Sequence, residues 1–443
     1  MKAILWIVGV VAVVAVAAAV VAHEPAIEPL AQPERFDPAL VQQGASLAAI
    51  GNCRGCHTSR DGPALGGGVP LHSPVGIIYS TNISPDRETG IGRWTEAAFV
   101  RAMRKGVARD GSHLYPAFPY ERFTHTTDAD LKALYAWAMS QAPVKYQPPR
   151  NTLPFPFNVR AGIAFWKLAF LEEGPRPAAQ GPNARGDYLV DSLGHCGGCH
   201  SPRNWAYAED HSRELQGGDL EGWHAYAIQA DNKAVHPWKP DELAFYLRTG
   251  YHPKHGISRG TMGLVTGELA WADPADVEAI ARAIVARMQP GVTPAREQWS
   301  QAVEKDPMKP KGKLEGDAEA AAIYASSCAQ CHAGWTPLPF GAMPLSKSTG
   351  LSGEMPRNLI NVIVHGLVPA GDGNTSPVMP AYGGALTDAQ IEALVAWLRA
   401  NLTDQPPWQD VRRLVQESRR MEPSMLAFPP GGSGSDPVPT GAQ

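Results

Sequence analysis

The sequence is short of charge. Only 19% of its 443 residues are charged, and 39 Lys plus Arg against 43 Asp plus Glu leave a formal net charge of −4. There is no basic excess to meet a phosphate backbone, which excludes a nucleic-acid binder. Cysteine is also scarce. All six copies belong to short motifs, so none is left over for a disulfide framework. No Gly-x-Gly-x-x-Gly opens a strand–helix unit, and nothing else suggests a nicotinamide, flavin, PQQ or molybdopterin domain. Neither a collagen-like glycine period nor a coiled-coil pattern is present. Glycine and proline are plentiful, at 44 and 41, which marks a loop-rich globular chain. At roughly 150 residues per domain, the length suits about three domains.

One long apolar run stands at the start, and no later stretch matches it. Lys2 is followed by twenty uncharged residues, Ala3 to Ala22. A helix of that length spans about 30 Å, the thickness of a hydrocarbon core, as a membrane anchor requires. A secretory signal peptide has a shorter core and a small-residue cleavage site, for which Ala17-Ala18-Ala19 or Val20-Val21-Ala22 would serve. Both readings stay open, and both send the remaining chain out of the cytoplasm.

The six cysteines form three copies of Cys-x-x-Cys-His: Cys53-Arg54-Gly55-Cys56-His57, Cys196-Gly197-Gly198-Cys199-His200 and Cys328-Ala329-Gln330-Cys331-His332. Successive copies are 143 and 132 residues apart, in keeping with three domains. The flanking text repeats as well. A helical pattern precedes each motif, at Pro38 to Ala49, Ala184 to Ser192 and Asp317 to Ser326. After a Gly- and Pro-rich loop comes a helix ending in glycine, at Glu96 to Gly106, Asp241 to Gly250 and Arg357 to Gly366. Each repeat closes with a capped helix, at Thr127 to Ser140, Asp273 to Arg287 and Thr387 to Ala400, with apolar residues at 3–4 spacing. No strand pairs are evident. The fold reads as all-α: three small domains joined by Pro-rich linkers behind an N-terminal apolar helix.

Cys-x-x-Cys-His is the attachment signature of c-type haem. Two thiols three residues apart on one helical turn each reach a haem vinyl carbon, and the next residue offers an imidazole nitrogen to the iron. The expectation is three covalently bound haem c groups. Cys53, Cys56, Cys196, Cys199, Cys328 and Cys331 attach them, and His57, His200 and His332 are the proximal iron ligands. Zinc sites or redox-active pairs are the competing readings. Three pairs would leave one stranded from a four-thiolate zinc site, and a redox pair does not require an adjacent histidine.

Electron-transfer haems commonly take Met as second axial ligand, which raises the potential. The repeat register points to Met262, twelve residues after Gly250, and Met379, thirteen after Gly366, both read as lying in the loop before the closing helix. In the first repeat the matching position is Phe118, which cannot ligate iron. Haem 1 is therefore expected to be five-coordinate or to take its sixth ligand elsewhere, with His113 the leading candidate and Met103 and His125 weaker ones.

Longer stretches carry a resemblance. They are Ile78-Tyr79-Ser80-Thr81-Asn82-Ile83-Ser84-Pro85-Asp86, Thr89-Gly90-Ile91-Gly92, Trp94-Thr95 and Asp110-Gly111-Ser112-His113-Leu114-Tyr115-Pro116. Leu153-Pro154-Phe155-Pro156-Phe157-Asn158-Val159-Arg160 and Leu193-Gly194-His195-Cys196-Gly197-Gly198-Cys199-His200-Ser201-Pro202-Arg203-Asn204 extend it. Over about residues 35–402 the chain resembles the tri-haem cytochrome c subunit of membrane-bound bacterial dehydrogenases, which serves alcohol, aldehyde, gluconate, fructose and sorbitol dehydrogenases and some molybdenum hydroxylases. The resemblance implies three class I cytochrome c domains at the periplasmic face of the inner membrane. It implies a dehydrogenase catalytic subunit of PQQ, flavin or molybdopterin type as electron donor, with alcohol or aldehyde oxidation its leading chemistry. Ubiquinone or a terminal oxidase would be the acceptor. Phe118 departs from the Ala-Met-Pro-Tyr that several members carry; members with Phe lean toward aldehyde or molybdenum-hydroxylase partners.

The expected layout is a signal peptide or anchor at 1–22, haem domains at 35–142, 183–289 and 316–402, linkers at 143–182 and 290–315, and a Pro-, Gly- and Ser-rich tail within 403–443. The first linker contains an apolar aromatic segment, Asn158 to Leu171, suited either to a membrane interface or quinone site or to packing between domains 1 and 2. Trp408, Val411, Leu414 and Val415 form an apolar face beside Arg412, Arg413, Arg419 and Arg420, read as a lipid-surface or partner-docking helix or a solvated one. Tyr79, Trp94, Trp137, Trp205 and Trp397 are read as core or haem-packing aromatics. The chain is expected not to be an enzyme by itself but an electron-transfer subunit. The alternative is a stand-alone multihaem peroxidase or reductase that uses an open haem 1.

Overall fold

The computed structural model describes residues 6, 9, 10, 13, 16, 19–177, 180–305, 317–333, 342–367 and 379–421. Much of the apolar run at 1–18, the second linker beyond 305, and the tail from 422 lie outside the described residues. The described residues form two compact units. The first falls within Met1–Ala179, Tyr188–Gly198 and Arg203–Ala208; the second falls within Gln180–Asp187, Cys199–Pro202 and Glu209–Gln443. The first repeat lies in the first unit, and most of the second and all of the third lie in the second.

In the first repeat the order is α1 (Pro38–Ile50), α2 (Cys53–His57), the hairpin β1 (Pro70–Ser73) and β2 (Gly76–Tyr79), α3 (Glu96–Lys105) and α4 (Asp128–Met139). Local chemistry sets these bounds. Asp37 accepts the Ala39 amide at the start of α1, with proline in the first turn, where a missing N–H costs nothing. Thr95 and Thr127 cap α3 and α4 by accepting from Ala98 and Asp130. α3 stops at Gly106, whose φ of 56° is the left-handed region open to glycine. α1 packs on α4 at backbone distance, since a Cβ on Gly44 would sit 2.0 Å from the Ala133 carbonyl oxygen.

The linker beyond α4 folds back along the hairpin. The Asn151 side chain accepts the Tyr79 amide, and Thr152 exchanges bonds with Ile77 through both its amide and its hydroxyl. Asn82 donates to the carbonyls of Val144 and Tyr146. α5 (Ile163–Phe170) follows and has two faces. Ile163, Ala164 and Lys167 are buried, and Trp166 donates to the Ala206 carbonyl. Phe165 and Leu168 are exposed, as are Phe155, Phe157 and Trp205 nearby in sequence or through that bond. Trp205, read as a core or haem-packing aromatic, is 94% exposed and so is not part of the protein core; Trp137 and Trp397 are buried.

The second repeat runs α6 (Ala184–Asp191), α7 (Gly197–His200), β3 (Gly218–Leu220), β4 (Trp223–Ala225), α8 (Pro240–Thr249), β5 (Tyr251–His252), β6 (Gly256–Ile257), α9 (Thr261–Leu269) and α10 (Pro274–Met288). Gly186 repeats the role of Gly44, its added Cβ falling 2.0 Å from the Ala279 carbonyl oxygen of α10. The third repeat has α11 (Ala318–Ile323), a π turn at Tyr324–Cys328, α12 (Ala329–His332), α13 (Arg357–His365) and α14 (Asp388–Leu402), followed by α15 (Val411–Arg419). Thr387 and Gln390 make a reciprocal capping box at α14.

Helices dominate, but the expectation of no strand pairs is corrected by three antiparallel hairpins among the described residues. Their strands are two to four residues long, too short for alternation to show in the sequence. α15 corrects a second expectation. Val411, Leu414 and Val415 are buried in the third repeat's core, so that apolar face is covered by the chain itself. Its arginines are engaged too: Arg412 with Glu392, Arg413 with Glu417 and Arg419 with Asp388. Among the described residues, no helix is long and apolar enough to cross a membrane.

Gly44→Ala tests the backbone crossing. Alanine improves helix propensity by about 1 kcal/mol, but its Cβ meets a carbonyl oxygen that cannot rotate away. The expected net effect is a loss of about 1–3 kcal/mol, typical of overpacking, read as a lower urea midpoint.

Candidate haem centres

The first motif lies wholly on a short helix, Cys53–His57; in the second and third the helix takes in only Gly197–His200 and Ala329–His332, with Cys196 and Cys328 just before it. None of the six cysteines is half of a disulfide. Burial and the neighbouring Cys331 push the Cys328 thiol up to about 11.

The three motif histidines share one arrangement. His57 Nδ1 lies 2.6 Å from the Thr81 carbonyl oxygen, His200 Nδ1 2.6 Å from that of Tyr226, and His332 Nδ1 2.9 Å from that of Met343. A carbonyl only accepts, so Nδ1 carries the proton and Nε2 is left with its lone pair. Burial lowers the pKa of all three rings against the opposing pull of the carbonyl, which keeps them neutral, the form that binds a metal. Two thiols three residues apart in sequence and an oriented neutral imidazole fit haem c, with the thiols for thioether bonds and Nε2 for iron. Among the described residues, no three His, Cys, Asp or Glu side chains converge as the ligands of a bare metal ion would.

Short hairpins deliver two of the acceptors. Thr81 follows β2 and Tyr226 follows β4. The first two repeats also share the loop after the histidine. Thr58 and Ser201 hydroxyls accept the amides of Leu65 and Leu215, both at φ 59°, and Gly67 and Gly217 amides donate to the carbonyls of His57 and His200. These acceptors escaped sequence reasoning, because a backbone carbonyl leaves no signature in residue type.

The candidate sixth ligands fall into a common frame. After Gly106, Gly250 and Gly366 the chain doubles back in an antiparallel pair: Val107 with His113, Tyr251 with Ile257, and Leu367 with Met379. Met379 therefore occupies the paired position itself and packs partly buried against the third core. Met262 comes five residues after the paired Ile257 and lies in the first turn of α9, not in a loop as expected. Phe118 comes five residues after the paired His113, the counterpart of Met262. Its ring meets Tyr120 and Phe123 at 6.3 and 5.3 Å.

His113 is committed elsewhere. Its Nδ1 accepts from the Lys167 ammonium at 2.7 Å, and its Nε2 donates to the Ala22 carbonyl at 3.0 Å. Both nitrogens are used by one consistent tautomer, so in this arrangement neither is left for iron. Lys167 also donates to the carbonyls of Lys105 and Gly106, closing the end of α3, and burial lowers its pKa to about 8. Met103 is buried in α3, and His125 Nδ1 bonds the Gly174 carbonyl.

Beside the Tyr226 acceptor, His224 is held by two carboxylates, with Nδ1 2.8 Å from Asp219 and Nε2 2.9 Å from Glu354. Burial opposes its charge, but the two carboxylates outweigh that and raise its pKa to about 9. Burial pushes Asp219 and Glu354 up, and the bond to His224 leads the opposing effects that hold both below their ordinary values. Arg357 and Lys233 act on them in the same direction.

Comparison with known proteins extends this picture. Residues 315–398 match the family described as cytochrome c oxidase, cbb3-type, subunit III. Over 388 residues, 86% of its length, the chain is 41% identical to a nicotinate dehydrogenase subunit of Pseudomonas putida, of which it spans only 32%. It is 35% identical to the fructose dehydrogenase cytochrome subunit of Gluconobacter japonicus, covering 81% of this chain and 78% of that one. It is 34% identical to the gluconate 2-dehydrogenase cytochrome c subunit of Pantoea cypripedii, with 83% and 87% covered.

The His224 bonds predict a pH window. The histidine's contribution to stability is complete below its unfolded value of 6.5 and is lost as pH rises through about 9. The carboxylates' contribution is complete above their unfolded values and is lost as pH falls through their lowered ones. The urea midpoint should therefore fall as pH is raised from 6.5 through about 9. His224→Gln should remove that alkaline fall; a variant with an unchanged pH profile would count against the bridge.

Proposed function

The chain belongs to the family of dehydrogenase cytochrome c subunits, and from that premise we propose that it is a tri-haem electron-transfer subunit with no substrate site of its own. The observation that carries this reading is the threefold arrangement of thiol, thiol and carbonyl-oriented imidazole. Bound haem c supplies reversible one-electron exchange between ferric and ferrous iron, in series from a dehydrogenase catalytic subunit to ubiquinone or a terminal oxidase.

The chain's residues hold and tune that group. Cys53 and Cys56, Cys196 and Cys199, and Cys328 and Cys331 anchor it. His57, His200 and His332 present Nε2 because Nδ1 is tied. Met262 and Met379 supply thioether sulfur to the second and third centres. Phe118 offers no donor at the first, so a sixth ligand there would have to come from another residue or would be lacking. We assign the three haem domains to residues 35–142, 183–289 and 316–402.

The donor is a dehydrogenase catalytic subunit of PQQ, flavin or molybdopterin type. Relatives named for nicotinate, fructose and gluconate dehydrogenases support placing the choice of fuel in that partner. Our reading keeps alcohol or aldehyde as this partner's leading fuel. We place the protein at the periplasmic face of the inner membrane. The uncharged run from Ala3 to Ala22 supports this, as do the exposed Phe165 and Leu168 on α5 and the exposed Trp205.

Pyridine haemochrome assay against protein mass is expected to give three haems per chain, falling to two in the Cys328→Ala/Cys331→Ala double variant. Two in the unaltered protein would overturn the tri-haem reading, and rapid peroxide consumption by the isolated chain would favour an enzyme instead. Near-infrared magnetic circular dichroism should give His/Met signatures for two haems, and Phe118→Met should add a third. A third signature in the unaltered protein would remove any special status from the first centre.

A further inference from the structure

The carbonyls that orient His200 and His332 both sit on segments packed against the other repeat. The Tyr226 acceptor follows β4, and the third repeat holds that strand by its backbone. Asn358 of α13 accepts the His224 amide at 2.9 Å and donates to the His224 carbonyl at 2.7 Å. Asn361, one turn on, donates to the Gly222 carbonyl at 2.9 Å. Glu354 binds His224 Nε2, and the Tyr226 ring lies against Gly353, where an added Cβ would come within 2.7 Å of Cε1. In the other direction, Met343 accepts His332 Nδ1 through its carbonyl while its side chain reaches into the second repeat. Its Cε would lie 3.2 Å from a Cβ placed on Gly256, in the β5–β6 hairpin that leads to Met262. At the first centre the Thr81 acceptor follows β2, which is held by Asn151 and Thr152 of the adjoining linker.

We propose that the second and third repeats form one reciprocally clamped electron-transfer pair, in which each repeat positions the carbonyl that tunes the other's proximal histidine. The inference rests on the haem reading above. A tight Nδ1–H···O=C bond raises imidazole basicity, favours the ferric state and lowers the potential. Contact between the repeats thereby sets two potentials together, while the first centre, whose acceptor is held by its own linker, is left alone. Asn358, Asn361 and Met343 are positioning residues, since they act through the carbonyls and not on iron.

The test is a potentiometric titration of the purified holoprotein, with the three haems resolved by paramagnetic NMR. Haem stoichiometry is measured first. Asn358→Ala is expected to shift the haem at His200 toward the ferrous form by about tenfold in its reduction equilibrium, about 59 mV for a one-electron couple. The haem at His57 should not move. Met343→Ala should shift the haem at His332 and leave that at His57 unchanged. If Asn358→Ala fails to fold, Asn361→Ala, which removes a single bond to Gly222 in the turn that leads into the same strand, should give a smaller shift of the same sign. Three haems with potentials unmoved, or all three moved equally, would overturn the clamp and leave the electron-transfer reading standing. A haem missing at His200 or His332 in the unaltered protein would overturn both.

Discussion

The hydrogen bond from a motif histidine's Nδ1 to a distant backbone carbonyl is the constraint around which each repeat is organised. A Cys-x-x-Cys-His turn alone brings thiols and imidazole together but does not orient the ring. The bond fixes the tautomer, turns Nε2 outward and raises its basicity. It also needs a carbonyl delivered to within 3 Å from a segment 24, 26 or 11 residues downstream. The hairpins, the strained leucines at φ 59° and the glycines beside them are the means of delivery in the first two repeats.

Around that bond the helices supply a rigid frame. Glycine lets the opening helix lie against the closing one with no side chain between them, at Gly44 in the first repeat and Gly186 in the second. The helix that ends in glycine aims the following segment back on itself, and the candidate sixth ligands lie on or just beyond that return. Because Met379 is a paired residue and Met262 lies five residues past the pair, nearly equal distance from the glycine in sequence does not mean equal placement. The first repeat shares the second's frame. It has phenylalanine where the second has methionine, with an aromatic cluster filling the space around it.

What was legible in the sequence was local. The motifs, the helices that flank them and the helix caps depend on residues within one or two turns, and Asp273 and Thr387 cap their closing helices as their positions suggest. The hairpins were not legible, since strands of two to four residues carry no period. Nor were the acceptors, since Thr81, Tyr226 and Met343 have nothing in common but a carbonyl. His113 and α15 depend on partners far along the chain. The bonds of His113 include Lys167, 54 residues away, and the apolar face of α15 is covered by the third repeat's core, neither of which leaves a trace at the position itself.

The three acceptors also differ in who holds them, and this bears on how the chain divides. The first is secured within its own repeat by linker residues that double back along β1 and β2, so the first unit contains everything that orients His57. The second is secured by asparagines of the third repeat, and the third lies on a segment whose side chain rests on the second. A cut between those two repeats would separate each histidine from part of what positions its acceptor. That is a physical reason for His200 and His332 to share one compact unit while His57 lies in the other. It also means that three similar motifs need not behave as three equivalent centres.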